Sequence, residues 1–376
     1  MTPFHFEVLH RSKKSHARVG RIHTPHGIID TPSFVAVGTN STIKALDSKT
    51  VDSLGLQLMF CNTYHLMLQP GTEVVKAAGG LHTFMNRKLP IITDSGGFQV
   101  FSLAYGNVAS ELKSSGKKSE NSSVLKITEE GVLFRSYRDG ARVLLTPETS
   151  VQAQKDLGAD IIIPFDELPP YHIDANALKE SFDRTHRWEK RSIEAHRLAP
   201  NGQAMYAVIH GGLDFDLRKE SFNTLQKLEF DGYAIGGSVG KTKKDLQSLL
   251  HNMSSYLPQE HPVHLLGIGD LPSIAGAIPN GIDTFDSSFP TKAARHGLLL
   301  KSGGDVRIKN ACHEKDQLPI DPECPCYTCQ HYSRSYLQHL FKASELTFYT
   351  LATIHNIHFM VQLMNSYREQ ILRDEV

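Results

Sequence analysis

Three aspartates stand at the ends of short, apolar, β-rich runs: Asp94 after PIIT, Asp166 after ADIIIPF and Asp286 after IDTF. Two carboxylates facing one pocket divide the work of a displacement, one attacking as a nucleophile and the other moving protons. Displacement at a sugar carbon needs such a pair, because positive charge developing near the anomeric centre is stabilised by a nearby anion. The third carboxylate suits recognition. An ionised Asp166 accepts two hydrogen bonds at once from ring nitrogens and an exocyclic amine of a purine-like base. Asp94 belongs to TDSGGFQVFS, where Ser95, Gly96 and Gly97 let backbone amides approach a ligand closely.

A second constellation is metal-binding. Cys324, Cys326 and Cys329 fall within ECPCYTCQ, and His355 follows in TIHN. Three thiolates and one imidazole complete a Zn²⁺ tetrahedron with no open position, so one structural zinc is predicted, not a catalytic one. Helical apolar spacing from Ser335 to Tyr349 could carry His355 back to the cysteines. His331, two residues past Cys329, is the competing fourth ligand; Tyr327, Tyr332 and Tyr336 read instead as that stretch packing a helix. Cys61 and Cys312 do not pair by sequence logic, so a disulfide framework is not expected and a reducing cytoplasm is. No secretion signal is visible in MTPFHFEVLHRSKKSHARVG, and no run of about eighteen apolar residues predicts a membrane span.

The elements that must position these groups alternate. Eight β-rich runs, SFVAV (33–37), LQLMFCN (56–62), PIITD (90–94), ADIIIPFD (159–166), AMYAVIH (204–210), GYAIGG (232–237), HLLGIG (264–269) and IDTFD (282–286), are separated by helix-like spacers. Alternation gives a parallel sheet, and eight repeats predict closure into an α/β (β/α)₈ TIM barrel whose strand ends form the chemical face. The spacer from Thr146 to Gly158 shows a threonine N-cap, an early proline and glutamate, and a closing glycine. Residues 1–299 are assigned to the barrel, 98–145 to an insertion after strand three, and 300–376 to a zinc-binding C-terminal subdomain. Within the insertion, SELKSSGKKSENSS (110–123) is expected to be mobile, and VLFRSYRDGARVLL to form a hairpin turning at Asp139–Gly140. Forty basic and forty acidic side chains cancel, which excludes a uniformly basic protein and leaves room for a local basic patch.

TDSGGFQVFS (93–102), DIIIPFDE (160–167), FDGYAIGG (230–237), FDSSFPTKAARHG (285–297), IDPECPCYTC (320–329) and TIHN (353–356) resemble the bacterial tRNA-guanine transglycosylases, and the likeness runs over nearly the whole chain. The resemblance implies exchange of guanine at the wobble position of tRNAs with a GUN anticodon for a 7-deazaguanine, either the aminomethyl precursor preQ1 or queuine. By position, Asp286 is similar to the family's nucleophile, which forms a covalent ribosyl ester, and Asp94 to its general acid/base. Asp166 corresponds to the base-recognition carboxylate, Phe98 to a base-stacking aromatic, and Gly236 and Gly237 to a further wall of the pocket. Thr291, Lys292, Ala293, Ala294 and Arg295 correspond to an RNA-contacting segment, as do Gly267, Ile268, Gly269, Asp270, Leu271, Pro272 and Ser273. Lys292 and Arg295 suit phosphates flanking a flipped nucleotide. A homodimer is also implied.

The chain departs from the family pattern at three places. His210-Gly211-Gly212 replaces the usual Gln-Gly; a neutral imidazole both donates and accepts, so it still reads a purine carbonyl. Gly236-Gly-Ser-Val-Gly-Lys241 is one residue shorter than the usual segment and ends in lysine where a glutamate is common, which disfavours a small ammonium substituent there. Leu168 stands where cysteine is frequent. These changes point to acceptance of the bulkier queuine, against retention of the same substrate as the other reading. Two further readings differ in class: a barrel glycosidase, and a non-catalytic tRNA-binding partner, the latter opposed by the presence of both Asp94 and Asp286.

Overall fold

The computed structural model describes residues 4–104, 124–169 and 173–376. Eight parallel strands close a barrel: Ser33–Val37, Leu58–Cys61, Ile91–Thr93, Ile161–Ile162, Ala204–Ile209, Gly232–Ile235, Val263–Leu265 and Thr284–Ser287. Each falls on one of the eight runs predicted from sequence, the seventh strand starting one residue before its run at Val263 and the eighth ending one residue beyond at Ser287. The ring closes through the first and eighth strands, where Phe285 pairs with Phe34 and Asp286 with Val35.

Strand alternation decides which residues face the inside. Val35, Leu58, Phe60, Ile92, Ile161, Ile163, Tyr206, Val208 and Ala234 form one buried cluster in the barrel interior. Their neighbours Phe34, Ala36, Met59, Cys61, Ile91, Ile162, Met205, Ile209, Ile235 and Phe285 belong to the larger cluster between strands and helices. By that parity Asp94, two residues after inward Ile92, and Asp286, in register with inward Val35, both turn into the barrel mouth.

The opposite mouth is stopped by a three-stranded antiparallel sheet, His5–Arg11, Arg18–Thr24 and Gly27–Thr31, which the sequence reading had assigned no separate role. Ile22 and Ile29 of this sheet join the interior cluster. Arg18, 3% exposed, anchors it with both carboxylate oxygens of Asp283, at 2.9 and 2.5 Å, and with the carbonyls of Pro258, Gln259 and His261. A buried guanidinium survives there because all its donors are satisfied.

The insertion after strand three contains the expected hairpin, Val132–Arg135 with Arg142–Leu145, and beyond it a helix, Gly97–Ala104, and a third antiparallel strand, Val124–Ile127. Val124, Val132, Phe134 and Leu145 pack with Tyr64, Phe101, Phe165 and Trp188, so this excursion has its own apolar core. The hairpin turns at Asp139–Gly140 as expected, with Gly140 at φ 72°. The 110–123 stretch lies outside the described residues. The helix Pro147–Leu157 follows, with the predicted Thr146 cap closed as a capping box and Gly158 left-handed at φ 71°.

Beyond the eighth strand come a short helix, Phe289–Arg295, a two-stranded ribbon of Leu298–Leu299 and Val306–Arg307, and three helices, Tyr327–His331, Arg334–Lys342 and Leu346–Leu372. The last helix serves two cores. Phe348, Leu351 and Ala352 pack with the cysteine region, while Ile354, Ile357, Met360 and Met364 pack with barrel residues such as Phe34 and Ala36. No described helix is long and apolar enough to cross a membrane.

Candidate active site

A cavity of about 480 Å³ opens at the C-terminal mouth of the barrel, within the roughly 300–1,000 Å³ of small-molecule sites. Asp94, Ser95, Phe98, Asp166, Gly236, Gly237, Gly267 and Asp286 line it, so three carboxylates predicted from separate strands share one wall system. Val37, Phe60, Ile163, Leu168 and Leu266 supply its apolar surface. Phe98 is 46% exposed, leaving a ring face available to stack on a planar ligand.

Asp94 is held by donors on both oxygens. Asn62 Nδ2 donates to Oδ2 at 2.6 Å, Gln99 Nε2 to the same oxygen at 2.8 Å, and the Thr63 amide to Oδ1 at 2.8 Å. Each bond favours the anion, yet burial wins and pushes the carboxyl from the ordinary 3.8 up to about 6. Such a group exchanges a proton near neutral pH, as a general acid/base must.

Asp166 is set by the long helix Ala175–Arg197. Ser192 Oγ accepts the Phe165 amide at 3.1 Å and Thr185 Oγ1 the Glu167 amide at 3.0 Å, gripping the backbone on both sides of Asp166. Ser95 Oγ donates to Oδ1 at 3.1 Å, linking Asp166 to the Asp94 loop. Below them, buried Gln154 joins strands three and four: its amide oxygen accepts from Thr93 Oγ1 and the Ile163 amide, and its nitrogen donates to the Ile163 carbonyl. The helix recognised from its cap thus fixes the spacing of two site aspartates.

Asp286 is 5% exposed, and its Oδ1 accepts from His264 Nε2 at 3.0 Å and from the Gly267 amide at 2.7 Å. Gly267 has φ +71°, a left-handed conformation that a side-chain-bearing residue rarely adopts, and this turns its N–H toward the carboxylate. His264 was missed by sequence reading. Its signal was parity: His264 is in register with Thr284, which shares Asp286's face of the neighbouring strand.

Not every predicted residue lines this cavity. His210 stands just behind Asp166 and Gly237. Its Nε2 sits 3.1 Å from Asp166 Oδ2 and 4.0 Å from Glu189 Oε1, and it lines a neighbouring cavity of about 220 Å³ behind Gly237. Gly96 and Gly97 also stand back from the lining; a Cβ on Gly97 would come within 2.7 Å of the Asp166 carbonyl, so its role is close packing. Lys241 is exposed, not among the cavity's lining residues, and its amide donates to Asp245. Of the 291–295 segment, Thr291, Ala293 and Ala294 are buried, leaving Lys292 and Arg295 to present charge. Lys292 shares a groove with His296, Arg307 and Lys309, the last two brought in by a ribbon that no sequence signal marked. Asp270 caps the helix Leu271–Ala277 and pairs with Lys243 at 2.8 Å, while Ile268 and Leu271 pack against the main core. Gly269 has no room for a side chain, since a Cβ would lie 2.4 Å from Ser287, and of Pro272 and Ser273 only the proline is exposed.

Cys324, Cys326, Cys329 and His355 come together with all four ligand atoms within 4.8 Å of one another. His355 Nδ1 lies 3.8, 3.5 and 3.3 Å from the three sulfurs in that order, and Nε2 donates to the Leu300 carbonyl at 2.7 Å. That second bond fixes the tautomer and leaves the Nδ1 lone pair facing the thiols, so the donor set fits a closed zinc site. His331 is exposed against the Tyr327 ring and takes no part. The next residue, Asn356, accepts the Leu300 amide and donates to the Pro290 and Leu298 carbonyls, tying the cluster to the helix just past Asp286. Chelation of the metal is expected to lower the melting temperature by about 10 °C or more, read by calorimetry. An unchanged transition would show that the cluster carries no folding energy.

Comparison with known proteins agrees with this geometry. The profile of the TGT family, queuine tRNA-ribosyltransferase, matches residues 12–376. A queuine tRNA-ribosyltransferase of Protochlamydia amoebophila is 67% identical over 374 residues, spanning 100% of this chain and 97% of that protein. Proteins of the same name from Chlamydia abortus and Chlamydia trachomatis serovar L2 are 57% and 53% identical over 372 residues, each alignment covering 99% of both chains. A profile match across nearly the full length, over a barrel that gathers three aspartates beside a Cys₃His cluster, places this chain in the queuine tRNA-ribosyltransferase family.

Proposed function

We propose that this enzyme exchanges the guanine at the wobble position of GUN-anticodon tRNAs for a 7-deazaguanine through an ester between Asp286 and the ribose. The observation that carries this reading is the placement of Asp94, Asp166 and Asp286 around one cavity, with Asp94 buried enough to hold a proton near neutral pH. Asp166 recognises the ring N–H and amine of the purine, and Phe98 stacks on its face. An oxygen of Asp286 bonds to C1′ as the C1′–N9 bond breaks, and the electron pair leaves with guanine, which takes a proton from Asp94. The incoming base returns its N9 proton to Asp94 and bonds to C1′, while the ester pair goes back to Asp286. Protons and charge balance over the cycle, and the RNA strand is never cut.

Zinc, bound by Cys324, Cys326, Cys329 and His355, supplies folding energy to the end of the molecule that bears Lys292, Arg295, Arg307 and Lys309. Those cations suit the phosphates around a flipped nucleotide. A homodimer, one subunit acting while the other holds tRNA, completes the proposal. The family match leaves the glycosidase reading without support, and retention of both Asp94 and Asp286 speaks against a non-catalytic partner.

Queuine is the incoming base we favour. Gly237 borders both the main cavity and the second cavity beside His210, which places further space next to the pocket for a bulkier 7-substituent. Purified enzyme with tRNA carrying labelled guanine is expected to release label with queuine at least about tenfold more efficiently, by kcat/KM, than with the aminomethyl precursor. Strict preference for the precursor would overturn the base assignment, and failure of every base the exchange itself.

A further inference from the structure

We propose that His264 is a positioning residue for Asp286 that governs collapse of the ribosyl ester more than its formation. The proposal rests on the ester reading above. His264 projects into the barrel from the seventh strand, is fully buried, and lies 6.2 Å from the Phe60 ring centroid to centroid. Its two nitrogens have different partners: Nδ1 is 2.7 Å from Thr284 Oγ1, and Nε2 is 3.0 Å from Asp286 Oδ1.

An ionised carboxylate only accepts, so any arrangement that avoids a lone pair against Oδ1 puts a proton on Nε2. Thr284, whose hydroxyl donates or accepts as required, is compatible with that assignment on the other side of the ring. Oδ1 therefore carries two donors, His264 Nε2–H and the Gly267 N–H at 2.7 Å. Among the described residues no hydrogen bond reaches Oδ2, which is the oxygen left to attack.

The two donors distinguish the halves of the reaction. Once Oδ2 is bonded to C1′, Oδ1 is an ester carbonyl, a weaker acceptor than a carboxylate. When N9 of the incoming base bonds to C1′ and the C1′–Oδ2 bond breaks, the electron pair returns to the carboxylate and negative charge grows on Oδ1. Both donors then strengthen their hold, in the manner of an oxyanion site aimed at the leaving group. During ester formation the same bonds weaken, so losing one cannot slow that half to the same extent.

The test is a single-turnover experiment on the full-length enzyme. Wild type and His264→Ala are mixed with labelled tRNA without added base, the RNA adduct is followed on a denaturing gel, and guanine is then added as a chase. In the variant the chase is expected to slow about 10²–10³-fold while adduct formation changes far less, so adduct accumulates in the steady state. His264→Gln, which offers an amide N–H near the Nε2 position, should recover most of the chase rate; a side chain needed only for packing would give no such rescue. Thr284→Val, which keeps the ring and removes its second partner, should slow the chase by about tenfold and serves if the alanine variant fails to fold. Equal chase rates in folded variants and wild type overturn the proposal and leave the ester reading intact. No adduct with any of the enzymes overturns the ester reading and this proposal with it.

Discussion

Asp286→Asn is expected to retain tRNA and yet form no covalent RNA adduct on a denaturing gel, with base exchange reduced by at least about 10⁴-fold. The asparagine carbonyl oxygen still accepts from His264 Nε2 and the Gly267 amide, which bond to Oδ1 in the native enzyme. Position and packing are therefore preserved, and the amide lacks only the second anionic oxygen, the one the proposed mechanism uses to attack C1′. Loss of activity with an unchanged melting temperature and unchanged tRNA affinity assigns the defect to chemistry. An adduct that persists in this variant would reassign the nucleophile.

The second large effect is at Asp94. Asp94→Asn is expected to lower exchange by about 10²–10⁴-fold, the range for loss of a positioned acid/base. With its carboxyl at about 6, native Asp94 gives the two half-reactions opposite pH dependence. Guanine release needs the protonated form and should decline as pH rises through about 6. Consumption of preformed adduct by a new base needs the ionised form and should rise over the same range. Single-turnover rates of each half from pH 5 to 8 read this directly; two parallel limbs would remove Asp94 from proton transfer.

Stability follows with a definite sign. Between 3.8 and about 6 the folded state holds the Asp94 proton while the unfolded chain has released it, so stability falls as pH rises across that window. Above the window, an ionised buried Asp94 costs the folded state about 3 kcal/mol. Melting temperatures of the Asn variant should therefore fall less steeply from pH 4 to 6 than those of the native enzyme. Asn cannot accept from Asn62, Gln99 and Thr63 together as the carboxylate does, so the slope and not the absolute stability is the measurement to trust.

Legibility differed with the range of the interactions concerned. The eight strands were readable because each is a short apolar run, seven of them closed by a polar residue or glycine, and a strand buried on both sides needs little beyond that composition. The helix Pro147–Leu157 was readable because its capping box and terminal Gly158 are local. In the excursion between strand three and that helix the hairpin at Asp139–Gly140 was readable from its turn, but the third strand was not, since Val124 finds its apolar partners only in a core with Tyr64, Phe165 and Trp188. The stopper sheet was missed for the same reason: Ile22 and Ile29 become core only when the barrel is there to receive them.

By itself the sequence determined the chemistry available: three aspartates at strand ends, one glycine-rich loop and a cysteine knuckle with a distant histidine. Residue type and strand parity are written locally, so they survive without coordinates. Tertiary structure alone decided what each group does for its neighbours. It set His210 3.1 Å from Asp166 beside a second cavity, and brought His355, the ligand read from sequence, to within 4.8 Å of the three sulfurs. It also placed His264 on Asp286, and buried Asp94 until desolvation outweighed its hydrogen bonds. Those outcomes depend on distances between residues tens to hundreds of positions apart, and such distances exist only once the barrel has closed.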